Sequence, residues 1–365
     1  MEKISRIPPF QKTLSFSITL RCNLRCRHCV VSAEKEGLDM SLVSLRNWLE
    51  EATRFKHIET VCFTGGEPFL VYDVFKEAVN MAHDFGFKVT VVTNGYWAKS
   101  MPYALKLLKA VNRLNRMTIS FDQYHMEFLP LERLKTAIRA GQETGINTNI
   151  RISFLNDEEK AIDEAAHLLA GVLEREKITS QAIIRAGRAT SMTDGSFYSF
   201  ELDIPCVNAG MPVLQPDGTL QACCGPAYNL PYDNPLWLGN VNETSLAHVL
   251  EESQYNAALQ SIRSQGPYHL WKMVRGDNPE DLKRFDSTNL CSFCMSMMSD
   301  PDFLKDLNQF TADPALLKKV AIERFFLLQE PEMLVGLKNR NIPGPVLEQG
   351  CHQPQVSVEL LEKTL

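Results

Sequence analysis

The chain has 365 residues, of which 44% are hydrophobic and 22% charged, and its net charge is −6. These values are ordinary for a globular protein, and the negative charge gives no general reason to expect nucleic acid or an anionic membrane as partner. No stretch approaches the ~20 apolar residues of a transmembrane helix, and residues 1–10 lack a signal-peptide core. We therefore expect a cytoplasmic protein of one or two domains, without nucleic-acid or membrane partners.

Short β-like runs alternate with amphipathic helical runs up to about residue 185. The helical runs have plausible ends, such as the N-cap Ser41 and the helix-stopping Gly86 and Gly145. Repeated βα units predict an α/β fold, a parallel sheet with outer helices and with functional side chains at the carboxyl ends of the strands. The predicted strands, which are apolar and rich in β-branched residues, are Leu14–Leu20, Thr60–Thr64, Lys88–Thr93, Arg116–Phe121, Asn147–Phe154 and Thr179–Arg185.

The alternation stops after this first region, which we take as one domain, residues 1–185. The polar stretch 186–205 predicts a linker. In residues 206–300 helical periodicity weakens, and Pro212 to Cys223 predicts a hairpin around a Pro-Asp-Gly turn. Periodicity returns over residues 301–340, a predicted helical extension, and residues 341–365 predict an irregular tail.

Three cysteines follow the first predicted strand within eight residues, at Cys22, Cys26 and Cys29. Structural disulfides are rare in the cytoplasm, so this spacing points to a metal. A four-iron cluster held by three thiolates keeps one iron open to a cofactor or substrate. A zinc knuckle is the alternative, but no nearby fourth ligand completes it, since His28 directly adjoins Cys29.

The CxxxCxxC pattern, with a ring residue at His28 before its last cysteine, resembles the signature of radical S-adenosylmethionine (SAM) enzymes. The second strand ends in Thr64 to Pro68, which is similar to the GGEP loop of that family. The resemblance implies a partial (β/α)6 barrel, a SAM-binding [4Fe-4S] cluster and a ring at His28 that packs near the adenine. Gly65, Gly66, Glu67 and Pro68 would bind the cofactor's amino group.

Weaker resemblances follow the next strands. Asn94 lies in a Thr-Asn-Gly turn, and Ser120 and Asp122 lie in a Ser-Phe-Asp segment, both similar to cofactor-binding segments of the family. Arg151 on the fifth strand is a candidate for the cofactor carboxylate. Each could instead be an ordinary polar residue at a strand end, and for Arg151 the two interpretations weigh equally. Family members often continue this segment with a glycine, whereas this chain reads Gln123-Tyr124-His125, and no role is assigned to the rings of Tyr124 and His125.

A second set of cysteines, Cys206, Cys223, Cys291 and Cys294, resembles the twitch or SPASM extension of such barrels. The resemblance implies a fully ligated auxiliary [4Fe-4S] cluster. A zinc site of the same ligands is the alternative, and Cys224 rivals Cys223 as a ligand. Because only one cysteine, Cys351, remains after Cys294, a twitch-like single cluster is expected.

The resemblance implies an enzyme that cleaves SAM reductively to a 5′-deoxyadenosyl radical, which abstracts a substrate hydrogen. An external donor such as flavodoxin or ferredoxin would supply the electron. Three functions remain open: modification of a ribosomally made peptide by crosslinking, epimerisation or oxidation; dehydrogenation of a small metabolite; and non-catalytic electron transfer. The GGEP loop argues against a carrier. We favour a peptide, because the segments from Cys224 to Cys291 and after Pro301 could form a broad groove.

Overall fold

The structure is a computed structural model that describes residues 9–339, apart from 194–196, 200, 224 and 232. The predicted tail 341–365, Cys351 and the alternative ligand Cys224 lie outside these residues. Among the helices within the described ranges, none combines the length and the apolar character needed to cross a bilayer.

One sheet organises the described chain, with strands in the order β6-β5-β4-β3-β2-β1-β7-β8-β9. Neighbours from β6 to β1 are parallel, as are β1 and β7, whereas β7, β8 and β9 are antiparallel. The strands are β1 (Thr13–Thr19), β2 (Thr60–Gly65), β3 (Lys88–Thr93), β4 (Arg116–Ser120), β5 (Asn147–Phe154), β6 (Ile178–Ala182), β7 (Val213–Leu214), β8 (Thr219–Gln221) and β9 (Trp237–Asn240).

The six predicted parallel strands are confirmed, with ends that differ by at most three residues. Their side chains alternate between two faces, as strand geometry requires. One face is apolar and packs on the helices: Phe63, Val91 and Ile119, on three successive strands, are at most 1% exposed. The predicted hairpin is also confirmed, as β7 and β8.

Helices cover the apolar face of the parallel strands. The predicted N-cap is confirmed, because the Ser41 hydroxyl accepts a hydrogen bond from Ser44 N at 3.0 Å. The helices of this region are α1 (Leu42–Ala52), α2 (Tyr72–Asp84), α3 (Met101–Lys109), α4 (Gln123–Met126), α5 (Leu131–Glu143) and α6 (Glu158–Leu168).

The expected weakening of helical structure in residues 206–300 is wrong. Five helices occur there: α7 (Leu246–Ser253), α8 (Ala257–Ser264), α9 (Pro267–Arg275), α10 (Pro279–Leu282) and α11 (Leu290–Met298). Each has nine residues or fewer and has its own start, such as the caps at Ser245 and Asn256. Helices this short give little periodic signal. The predicted helical extension is confirmed by α12 (Pro301–Thr311), α13 (Pro314–Leu328) and α14 (Glu332–Asn339).

The main apolar core extends beyond the six parallel strands β1 to β6. Leu214 and Leu220 of the hairpin and Leu246 and Leu250 of α7 are fully buried in the same cluster as β1 to β5. A second core surrounds Trp271 and lies among α8, α9, α11 and α12. The hairpin therefore extends the sheet and shares its core.

Candidate functional site

A cavity of about 220 Å³ lies at the carboxyl ends of the parallel strands. This is the edge at which functional side chains of such sheets gather. Of the residues predicted to bind the cofactor or the first cluster, nine line it: Cys22, Cys26, His28, Cys29, Gly65, Gly66, Asn94, Ser120 and Arg151. Glu67, Pro68 and Asp122 lie outside its wall.

The three cysteines occupy a loop, residues 20–34, that leaves β1 and folds back beside it. Cys22 N donates a 2.6 Å hydrogen bond to Glu34 O, which closes the loop. Burial, with smaller contributions from the nearby Glu67, Cys26 and Cys29, raises the pKa of the Cys22 thiol to about 12, against a lowering hydrogen bond from Leu24 N. Three thiolates this close repel one another unless a cation is bound, which suits a metal cluster.

Gly65 and Gly66 bring the loop after β2 against the start of the cysteine loop. A Cβ atom on Gly65 would lie 2.1 Å from Thr19 O, and one on Gly66 would lie 2.0 Å from Arg21 O. Gly66 N donates to Thr19 O at 2.7 Å. These glycines therefore serve backbone-to-backbone packing, in addition to lining the cavity.

Glu67 is fully buried and joins this loop to the turn after β3. Its Oε1 accepts hydrogen bonds from Phe69 N at 3.0 Å and from Thr93 Oγ1 at 2.8 Å. Burial raises the pKa of Glu67 to about 7, although these hydrogen bonds and that of Asn94 N lower it. The carboxylate thus fixes the cavity wall from behind, and its binding of the cofactor's amino group stays a prediction.

Asp122 begins α4 and holds two histidines at the cavity. Its Oδ1 accepts from His125 Nδ1 at 2.8 Å, and its Oδ2 lies 3.5 Å from His28 Nε2. Burial would raise the pKa of Asp122, but the charges and hydrogen bonds of the histidines lower it to about 2. Asp122 therefore acts on the cavity through His28 and His125.

His28 presents its ring to the cavity, as the sequence predicts. Burial lowers its pKa to about 4, so the ring is neutral near pH 7. It packs against the ring of Tyr124, with centroids 5.0 Å apart. Its Nδ1 is buried and has no hydrogen-bond partner among the described residues, which is the kind of atom that a bound ligand satisfies.

The sheet face that looks into the cavity is mostly polar. Ser120 pairs with Arg151, and Ser153 pairs with Gln181, across β4, β5 and β6. The same register places further side chains on this face: Ser15, Ser17, Cys62, Thr64, Thr90, Val92, Thr118, Asn149 and Thr179. The inner face thus offers many hydroxyl and amide groups, and Arg151 brings a guanidinium to the cavity.

His125 and Arg188 are among the cavity residues that have no role in the sequence analysis. Asp122 outweighs burial and raises the pKa of His125 to about 10, and the nearby Cys26 acts in the same direction. Arg188, from the predicted linker, also lines the cavity. The only signal for His125 was its position three residues after Asp122; for Arg188 there was none.

The second set of cysteines also converges. Cys206, Cys223, Cys291 and Cys294 line a small, almost wholly apolar cavity of about 40 Å³. Two of them lie three residues apart on α11, whose first turn is capped by Asn289. Burial raises the pKa of Cys294 well above its usual value, and the charges of the other three thiols act in the same direction. Four sulfurs around one apolar cavity suit a metal centre that is fully ligated by protein.

Comparison with known families adds to this geometry. Residues 16–169 match the Radical SAM superfamily. This part of the chain is therefore a radical SAM domain. These residues include most of β1, the cysteine loop, the loop after β2 that contains Gly65 and Gly66 (the glycine loop), and β2 to β5.

The chain is also similar to a curated relative and to solved structures. YydG of Bacillus subtilis (strain 168), whose name refers to peptide biosynthesis, is 25% identical over 308 residues, covering 80% of this chain and 94% of YydG. Streptococcus suis SuiB is 14% identical, with a TM-score of 0.49, over 77% of this chain and 76% of SuiB. The structure of anSMEcpe with bound AdoMet is 12% identical, with a TM-score of 0.48, over 88% and 99% of the two chains.

Radical SAM enzymes use a [4Fe-4S] cluster and SAM, and the first cavity fits both. Three thiols there leave one iron position open. His28 offers a ring and an unsatisfied nitrogen for an aromatic ligand. Arg151 offers a cation on the inner face for a carboxylate.

Proposed function

We propose that this chain is a radical SAM enzyme that removes a hydrogen atom from a peptide and so modifies it. The observation that carries the proposal is the convergence of Cys22, Cys26 and Cys29 with the glycine loop on one cavity. When bound, the cluster supplies the electron that cleaves SAM to methionine and a 5′-deoxyadenosyl radical.

The residues of this chain hold and orient the two cofactors. Cys22, Cys26 and Cys29 bind the cluster, and His28 packs on the adenine. Gly65, Gly66 and Asn94 present backbone and amide groups to the amino-acid part of SAM, which Ser120 and Arg151 approach from the sheet. Glu67 and Asp122 position these groups from behind the wall.

Two observations support a peptide as substrate. The relative YydG, which matches 80% of this chain, has a name that refers to peptide biosynthesis. The inner sheet face carries hydroxyl and amide side chains on β1 to β6, and such groups pair with peptide N–H and C=O groups. The reaction would occur in the cytoplasm, with an acidic electron-transfer protein such as flavodoxin or ferredoxin as reductant.

An auxiliary [4Fe-4S] cluster in a twitch-like unit is part of the proposal. Cys206, Cys223, Cys291 and Cys294 would be its ligands, and their closed, apolar cavity supports full ligation by protein. A fully ligated cluster exchanges electrons and does not bind substrate directly. These four cysteines would hold such a cluster, and it would supply electron transfer to or from the peptide.

The test is anaerobic incubation of the reconstituted protein with SAM and dithionite. The wild type should release 5′-deoxyadenosine, and the variant with Cys22, Cys26 and Cys29 all changed to Ala should release none. Release by that variant would overturn the radical SAM assignment. Peptides encoded near the gene, and metabolites of the same pathway, are then supplied with deuterium; transfer to 5′-deoxyadenosine from a metabolite but from no peptide would overturn the peptide substrate.

A further inference from the structure

The segment that follows β6 packs directly under the cysteine loop. Ala186 and Ala189 are fully buried, and Ala189 shares an apolar cluster with Leu24, Cys26 and Tyr124. Residues 187–191 form a single 3₁₀ turn, so they are folded as part of the site. Arg188 lies at the centre of this turn.

Arg188 contacts the backbone of two of the three cysteines. Its N–H donates to Cys29 O at 3.0 Å, and its Nε donates to Cys26 O at 2.9 Å. Its Nη1 donates to Ala33 O at 2.8 Å, near the other end of the loop. The planar guanidinium thus connects both halves of the cysteine loop, which a single ammonium group cannot do.

Gly187 makes this close approach possible. Its φ is +55°, and a Cβ atom there would lie 2.2 Å from Val30 O and 2.5 Å from Cys29 O. Any other residue would push the turn away from the loop. The sequence Gly187-Arg188 is therefore fitted to the loop by both shape and hydrogen bonding.

The positive charge of Arg188 is only partly neutralised. Its Nη1 lies 3.3 Å from Glu34 Oε1, and Arg25 Nη2 lies 3.2 Å from the same oxygen. Two guanidiniums thus share one carboxylate, and the group keeps a net positive charge. With its side chain only 18% exposed, Arg188 is partly shielded from solvent screening.

We propose that Arg188 is a positioning residue for the SAM-binding cluster: it holds the cysteine loop in its ligand-ready conformation, and its charge raises the reduction potential of the cluster. The proposal rests on the proposed function, since it assumes that Cys22, Cys26 and Cys29 bind a cluster. A nearby cation stabilises the reduced, more negative cluster, because net charge and local electrostatics set cluster potentials.

The experiment compares Arg188→Met, Arg188→Lys and the control Arg185→Met in reconstituted full-length protein. Arg185 is an exposed arginine of the same segment whose guanidinium lies 4.2 Å from the Phe197 ring centroid. Two quantities are measured without substrate: the midpoint potential of the cluster whose EPR signal changes when SAM is added, and the rate at which a chelator removes its iron.

Arg188→Met should lower the ratio of reduced to oxidised cluster at a fixed potential about tenfold, which corresponds to a midpoint potential about 59 mV lower for one electron. It should also speed the loss of iron to the chelator. Arg188→Lys should keep the wild-type potential but lose iron faster, because it retains the charge without the forked hydrogen bonds. Arg185→Met should change neither quantity. A wild-type potential in Arg188→Met, or equal potential shifts in both Arg188 variants, would overturn the charge effect.

Hydrogen exchange tests the positioning role even if Arg188→Met does not fold. In the cluster-free protein, backbone amides of residues 22–33 should exchange faster in Arg188→Lys than in Arg185→Met. Equal exchange would overturn the positioning role. These outcomes can be told apart from a failure of the proposed function. If the Arg188 variants alter the cluster but the enzyme modifies no peptide, the role of Arg188 is supported and only the peptide substrate is contradicted.

Discussion

Asn94 N donates a 2.7 Å hydrogen bond to Oε2 of the buried Glu67, and this contact joins the turn after β3 to the loop after β2. The carboxylate accepts two further bonds, from Phe69 N and Thr93 Oγ1. Every one of these groups is a donor. Only a side chain that accepts at both of its terminal atoms satisfies all three.

Glu67→Gln should therefore disrupt the cavity wall, because the new amide NH₂ must face at least one donor. We expect a loss of about 1–3 kcal/mol in the free energy of unfolding and weaker SAM binding. Urea denaturation and isothermal titration with SAM measure the two effects. Glu77→Gln, on the exposed side of α2, is the control, and equal behaviour of the two variants would contradict this account.

Gly66→Ala should separate cofactor binding from general stability. The new Cβ would lie 2.0 Å from Arg21 O and would push the glycine loop away from the cysteine loop. SAM affinity should fall at least tenfold, or ~1.4 kcal/mol. Gly86→Ala is the matched control: its φ of +92° is unfavourable for alanine, but its Cβ would meet nothing within 4 Å. The control should lose about 1 kcal/mol of stability and keep its SAM affinity.

Glu330→Gln should destabilise the packing of α8 against the turn between α13 and α14. Glu330 pairs with Arg263 Nη1 and Arg324 Nε, both at 2.7 Å, and these arginines are 1% and 2% exposed. Leaving two buried guanidiniums without their anion should reduce the free energy of unfolding by about 3–5 kcal/mol. Glu332→Gln, at a side chain that is 58% exposed, should cost less than about 1 kcal/mol.

The effect of Glu330→Gln should also depend on pH. Burial alone would raise the pKa of Glu330, but the two arginines lower it below the usual 4.5. The ionised side chain therefore stabilises the fold fully above about pH 4.5, and this contribution is lost as the pH falls through the lowered pKa. Denaturation curves between pH 3 and pH 7 should show the variant and the wild type converging in acid. A constant difference would contradict the ion-pair explanation.

The second cysteine set predicts a simple metal count. Reconstituted wild type should hold ~8 irons per chain, and Cys291→Ser with Cys294→Ser should hold ~4, since one of two cubane clusters is lost. The double variant should still release 5′-deoxyadenosine without substrate. Cys62→Ser, on the inner face of β2, should keep the full iron content. An unchanged count in the double variant, or stoichiometric zinc in protein purified without oxygen, would contradict an auxiliary cluster.

Local signals were strong enough to predict the parallel strands and both cysteine sets. Each strand is a short apolar run between helical patterns, and the cysteines have regular spacing. The convergence of Cys206, Cys223, Cys291 and Cys294 on one cavity agrees with that spacing. The sequence did not predict helices α7 to α11, because each has nine residues or fewer.

Contacts between distant residues could not be predicted. Arg188 and Cys26 are 162 positions apart in the sequence, and no local pattern of charge or periodicity predicts their contact. The glycine loop could be predicted only in part. The sequence identifies its motif, but its close packing against Thr19 and Arg21 depends on the position of β1. A polar segment with a glycine predicts a linker, and only the packed structure brings it under the cysteine loop.

The pairing of β1 on both sides, with β2 and with β7, has a consequence for how the chain is made. On the ribosome, β1 and its cysteine loop emerge before β2 and β7, and β2 can cover one edge soon afterwards. The backbone groups on the other edge of β1 stay without a strand partner until Val213 and Leu214 have been synthesised. Bare edges recruit strands from other chains, so stalled or truncated products that end before β7 should self-associate, whereas those that include α7 should remain dispersed.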